Sequence, residues 1–245
     1  MDFILPLLFL LIAFTYSSVG LGGGSSYTAV MSILGISYQN IPATSLSLNL
    51  VVTFIGMIQF WKNGHVRLNL IIPFLITSVP ITYFAGTQEL PERAFNIFLL
   101  ITLIFVVVRI YLLNDLKLSI HLNRIQKWIF VFSLGGLLGF IAGSVGIGGG
   151  IYLVPLIIMF GLGTEKEAAA SGAIFIWVNS LVGVISRAQT GTFDMQFIFP
   201  LSIAVLIGGT AGSYLGAQRF EPKTIQKVMG SVIIIAIILL TKGLL

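Results

Sequence analysis

Apolar residues fill this chain in ten runs, at 3–19, 25–36, 41–61, 68–86, 94–113, 128–145, 151–160, 168–186, 195–216 and 225–240, parted by short polar turns. Most are long enough to cross a hydrocarbon core about 30 Å thick at about 1.5 Å per residue. A helix satisfies its own backbone hydrogen bonds, which suits it to an apolar solvent. The pattern therefore predicts an all-α polytopic membrane protein. Two runs, 25–36 and 151–160, are too short to cross easily, and each follows a cluster of glycines. These predict half-helices, each forming a broken or re-entrant pair with the run before it.

The two clusters are near copies. Ser18-Val19-Gly20-Leu21-Gly22-Gly23-Gly24 matches Ser144-Val145-Gly146-Ile147-Gly148-Gly149-Gly150, with only leucine exchanged for isoleucine. Further matches keep the same order: Gly35 with Gly161, Ser45 with Ser171, Asn63-Gly64 with Thr190-Gly191, Pro73 with Pro200, and Gly86-Thr87-Gln88 with Gly216-Ala217-Gln218. This predicts a single membrane domain over 1–245 with internal repeats at about 1–120 and 128–245. Each repeat would hold one glycine-broken pair and three transmembrane helices.

Composition narrows the class by exclusion. The chain is 57% hydrophobic and 9% charged, too little charge to cover a soluble domain and too short for a large extramembrane catalytic module. The net charge of +5 sits in short loops, where the positive-inside rule accounts for it, so no nucleic-acid partner is expected. The absence of cysteine excludes disulfides, iron–sulfur clusters and thiol catalysis. The first run lacks a basic n-region before it and is expected to be a retained first helix.

Loop charges also bear on orientation. The basic loops 62–67 and 109–127 belong on the cytoplasmic side, and 35–40 and 88–93 outside. In the second half, placing 164–167 and 218–227 inside puts four basic residues there, against Arg187 and Lys242 outside. Corresponding loops then lie on opposite sides, so the expectation is two inverted repeats. Inverted repeats with broken helices are a recurrent plan of secondary transporters.

The paired SVGxGGG segments and duplicated halves resemble the TauE/SafE family over essentially the whole chain. That resemblance implies a multi-pass protein of the bacterial inner (cell) membrane that exports small sulfur-containing anions, sulfite or organosulfonates.

The residues themselves permit that chemistry. Glycines cost about 1 kcal/mol each in a helix relative to alanine, and they free the backbone to unwind. The next half-helix then begins with unpaired amides and the positive end of its dipole, a nest for anions. Gly22, Gly23 and Gly24, followed by Ser25, Ser26 and Tyr27, form one candidate. Gly148, Gly149 and Gly150, followed by Tyr152, form the other. Glycines equally serve close helix packing, and that reading stays open.

A polar stripe runs along the third run, with Ser45, Asn49, Gly56 and Gln59 at offsets 0, 4, 11 and 14. Gly172, Asn179, Gly183 and Ser186 form a similar face in the eighth run, where Ser171 is the counterpart of Ser45. These groups suit either an anion path or hydrogen bonding between helices.

Arg187 is the cation best placed to steer anions; Arg109 has the position of a snorkelling side chain. Thr164 and Glu167 have capping-box spacing. His65, His121, Glu89, Glu92 and Glu221 fall in loops, so no metal site, cofactor or mid-membrane carboxylate is expected. An intramembrane enzyme would need such groups, and the chain is read as not an enzyme. A channel or carrier for another small anion, or a non-transporting assembly or sensor subunit, are the alternatives. The partners expected are a small anion and the bilayer, with room for a homo-oligomer. Without a titrating site, any proton would ride on the substrate. The negative cell interior favours anion exit by about 2.3 kcal/mol per charge per 100 mV.

Overall fold

The computed structural model describes residues 4–18, 21–112, 123–189, 193–219 and 222–244, and among these all regular structure is helical. Val19, Gly20, His121, Glu221, the Thr190-Gly191 match and most of the basic loop 109–127 lie outside the described residues. The helices are α1 (Ile4–Ser17), α2 (Gly24–Ile33), α3 (Asn40–Lys62), α4 (Leu68–Thr87), α5 (Glu92–Tyr111), α6 (Arg124–Val145), α7 (Gly150–Met159), α8 (Glu165–Gln189), α9 (Met195–Arg219) and α10 (Pro222–Leu244). They fall on the ten apolar runs in order. Within the described residues, α3, α4, α5, α6, α8 and α9 are long and apolar enough to cross a membrane. The short runs became α2 and α7, ten residues each, or about 15 Å of rise and half a hydrocarbon core.

Polarity is turned inward, as lipid requires. Ser45, Asn49, Thr53, Ser78, Thr82, Asn179 and Ser180 are buried, whereas Leu7, Ile76, Phe84, Ile101, Phe199 and Ile207 lie on the outer surface. Local signals set several helix ends. Thr164 and Glu167 bond reciprocally, Thr164 N to Glu167 Oε2 at 2.8 Å and Glu167 N to Thr164 Oγ1 at 3.3 Å. Asn123 and Gln126 make a second capping box at the start of α6.

The two most extensive seams exchange partners between the halves: α4 lies along α6, and α1 along α9. Both are parallel. Gly135, Gly139 and Gly143 of α6 sit on Phe74, Ser78 and Thr82 of α4, and Gly208 and Gly212 of α9 sit on Leu10 and Phe14 of α1. A β-carbon at Gly139 would stand 2.5 Å from the Ser78 carbonyl oxygen, so the backbones touch. Thr77 Oγ1 donates across the first seam to Phe132 O at 2.9 Å.

Between the seams α3 crosses α8 antiparallel. Leu46 packs on Gly183 near one end, and the Phe54 and Trp177 rings meet at 6.1 Å towards the other. Helices α5 and α10 are antiparallel as well: Tyr111 OH donates to Lys227 O at 2.8 Å, while Glu92 and Asn96 share a recess with Leu239 and Leu240.

The α4–α6 seam generates a stability prediction. Gly139→Val should destabilise the protein by about 1–3 kcal/mol in a detergent unfolding titration, through overpacking against backbone. Gly56→Ala, whose nearest neighbour would be 4.0 Å away, should be neutral or gain up to about 1 kcal/mol in helix propensity. Equal behaviour of the two variants would refute the backbone-contact account.

Candidate functional site

The two breaks differ in backbone although their sequences match. In the second, Gly146, Gly148 and Gly149 take φ of 82°, 78° and 75°, a left-handed region that costs other residues roughly 1–2 kcal/mol. In the first, no described glycine has positive φ. Closeness requires glycine there instead. A β-carbon at Gly22 would lie 2.6 Å from Asn49 Oδ1, and one at Gly24 would lie 2.6 Å from both Asn49 Nδ2 and the Ile147 carbonyl oxygen.

That last contact joins the breaks directly. Ser45 reinforces the junction: its Oγ lies 2.8 Å from Gly146 O and 3.3 Å from Gly24 O, one proton facing a carbonyl of each break. Both short helices begin here, so the first amides of α2 and α7 have no acceptor within their own helix.

Asn49 occupies the junction. It is fully buried, and neither Nδ2 nor Oδ1 has a hydrogen-bond partner among the described residues. It stands about 14 Å along α3, near mid-bilayer for a helix of this length. Ser180 Oγ, from α8, is also buried and has no hydrogen-bond partner among the described residues. The point where a β-carbon of Gly148 would lie is 3.0 Å from Asn49 Nδ2 and 3.5 Å from Ser180 Oγ. Two glycine breaks, a carboxamide and a hydroxyl without partners among the described residues thus converge in one buried centre, where unpaired polar groups are costly.

Other candidates from the sequence fall at varying distance from this centre. Ser25 and Ser26 each lie 2.7 Å from Tyr16 OH in a buried hydroxyl triad. The Tyr27 ring covers Gly23, with its hydroxyl buried and unpartnered. Ser171 Oγ is likewise buried, with no hydrogen-bond partner among the described residues. Tyr152 turns away, its hydroxyl donating to Thr102 O of α5 at 3.1 Å.

Asn179 is engaged structurally. Thr82 Oγ1 lies 2.7 Å from its Oδ1 and 2.9 Å from Gly139 O, one proton facing both, and Asn179 Nδ2 donates to Phe175 O at 2.9 Å. Arg187 is buried, and its Nη2 donates to Gly143 O at 2.9 Å and Ser144 O at 3.2 Å, carbonyls at the end of α6. It lines a small recess with Tyr38, Gln39, Pro42, Glu89 and Ser144, beside the second break.

The stripe on α3 is buried only in part. It continues from Ser45 and Asn49 to Thr53, while Gly56 is half-buried and Gln59 exposed. Thr53, Ser180, Tyr16 and Thr82 are the residues the sequence did not single out. Thr53 follows Asn49 by four residues, a signal that was present; the hydroxyls of the others resemble any packing residue in a membrane helix.

Helices that cross a bilayer and enclose a polar centre built from two broken helices have the construction of a membrane transporter. The family model described as sulfite exporter TauE/SafE matches residues 5–240. The chain belongs to that family. It is 32% identical over 244 residues to the probable membrane transporter protein y4hK of Sinorhizobium fredii, covering 98% of this chain and 96% of the relative. It is 25% identical over 236 residues to the probable membrane transporter protein YjnA of Bacillus subtilis (89% and 91%). With the probable membrane transporter protein MJ0441 of Methanocaldococcus jannaschii it shares 24% over 255 residues (94% and 92%). No solved structure matches the chain.

The contrast between the two asparagines is testable by stability. Asn49→Leu, similarly branched and free of unpaired polar atoms, should hold or raise stability by up to about 1–3 kcal/mol. Thr82→Val removes the proton that faces both Asn179 Oδ1 and Gly139 O and should lower stability by a similar amount. Unfolding midpoints in detergent measure both; a lower midpoint for Asn49→Leu than for Thr82→Val would contradict this assignment.

Proposed function

We propose that this transporter exports small sulfur-containing anions, sulfite or an organosulfonate, by alternating access between two inverted halves. The anion is held at the junction of the breaks by backbone amides of α2 and α7, with Asn49 and Ser180 completing its shell. The observation that carries the reading is the fully buried Asn49 amide, unpartnered and in contact range of both glycine clusters. Helix N-termini and amide nests bind anions without a formal charge. The family's name, sulfite exporter, supports the substrate class.

Inversion is supported by the antiparallel course of α3 on α8 and of α5 on α10. Each pair joins elements at corresponding places in the two halves, and corresponding spans run in opposite directions only when the halves are inverted. Arg67 Nη1 lies 3.7 Å from Glu167 Oε1, tying the loops that the charge rule assigns to the cytoplasmic side. At the opposite end Arg187 lines the recess beside the second break, where it would draw anions towards the junction.

Two measurements test this. In proteoliposomes holding an imposed potential, sulfite or an organosulfonate should move, faster towards the positive side. Gly23→Leu and Gly149→Leu should each cut the rate at least about tenfold, equivalent to roughly 1.4 kcal/mol. Normal flux in both variants would remove the breaks from the site. The chain has no native cysteine, so single cysteines report topology cleanly. Asn63→Cys and Thr164→Cys should resist an impermeant maleimide in whole cells, while Gln39→Cys and Gln88→Cys react. Labelling of Asn63→Cys and Thr164→Cys from opposite sides would refute the inversion.

A further inference from the structure

The junction has a hydrogen-bond polarity as well as a charge preference. Asn49 is a primary amide with both ends unpartnered among the described residues. Whichever way such an amide is turned, one end donates and the other accepts. The backbone amides beside it are donors only. The hydroxyls of Ser180 and Tyr27 can turn either way, so they do not decide the balance. A ligand that only accepts offers no proton to the Asn49 carbonyl oxygen and is set against it as like charge.

We infer that the transported species is a hydrogen oxyanion, a monoanion whose own O–H donates to Asn49 Oδ1 while its remaining oxygens accept from Asn49 Nδ2 and the backbone. The inference rests on the anion-transport reading above. It narrows the substrate to hydrogen sulfite in preference to the sulfite dianion or an alkylsulfonate. The proton then crosses with the anion, and the protein itself need not titrate.

The groups around Asn49 fit a site that does not titrate. Tyr16 and Tyr27 are the titratable side chains beside the first break, and the Tyr152 hydroxyl of α7 is turned to Thr102. The charged residues of the helices packed against α3, and of α3 itself, are Lys62, Arg124, Lys127, Glu165, Lys166, Glu167, Arg187 and Arg219. All of them sit in terminal turns, and Arg187 bonds to the carbonyls of Gly143 and Ser144.

The test is sulfite flux into proteoliposomes of the full chain, with equal pH on both sides and protein-free vesicles subtracted. Between mildly acidic and mildly alkaline pH the rate should fall in step with the hydrogen sulfite fraction. Methanesulfonate, a monoanion with no donor, should compete at least about tenfold more weakly than hydrogen sulfite. Asn49→Ala removes both ends of the amide and should bring that ratio towards one, at reduced flux. If the variant does not fold, the two wild-type measurements decide the matter. Equal competition by methanesulfonate, or a rate that holds steady as hydrogen sulfite disappears, overturns the inference while leaving anion transport standing. Failure of every anion to move at any pH, with folded protein, overturns the transport reading and this inference together.

Discussion

A helix interrupted inside a bilayer exposes amides and carbonyls where no water can reach them, at a cost of several kcal/mol for each group left unpaired. The arrangement at the centre of this protein follows from that constraint. Carbonyls freed where α6 ends accept from Arg187, those of Gly146 and Gly24 face Ser45, and Gly24 O also accepts from Thr28. The amide of Leu21 returns to Tyr16 O at 3.0 Å. With these carbonyls satisfied, the polar capacity that remains lies in the first amides of α2 and α7 and in a few buried side chains, Asn49 above all. Burying such groups unpaired stabilises nothing by itself, and a bound solute can complete them.

The seams say where the molecule is stiff. In the α4–α6 and α1–α9 contacts backbone lies on backbone, and each seam takes one helix from either half. A movement between the halves that keeps both seams therefore carries α4 with α6 and α1 with α9. The α3–α8 crossing is made of side chains, Leu46 on Gly183 and Phe54 beside Trp177, which can repack at lower cost. Its position between the seams, with Asn49 on one helix and Ser180 on the other, puts the more compliant contact next to the polar centre.

Much of the architecture was legible in the sequence because a bilayer makes hydropathy a direct report on structure. Ten apolar runs became ten helices, and the two short runs behind glycines became the two half-helices. Partnering was far less legible. Asn49 and Asn179 are the same residue type on corresponding helices, yet Thr82 of α4 reaches Asn179 and no described group reaches Asn49. That difference depends on which seam each helix borders, a tertiary fact with no local signature. The matched glycine clusters likewise concealed unlike backbones, left-handed in one and crowded by Asn49 in the other. Tyr152 had the position of a donor at a helix start, but a carbonyl on α5 claims its hydroxyl.

The exchange of partners also bears on biogenesis. Leu10 of α1 rests on Gly208 of α9, so α1 packs on a helix that is synthesised long after it. At about 5–20 residues per second, the intervening chain takes roughly 10–40 s to synthesise. Throughout that interval α1 has no native neighbour along this seam, and the groove it will fill does not yet exist. The membrane insertion machinery, or the lipid itself, must hold the helix until then. A ribosome stalled before α9 would leave bare the face of α1 on which Gly208 and Gly212 come to rest.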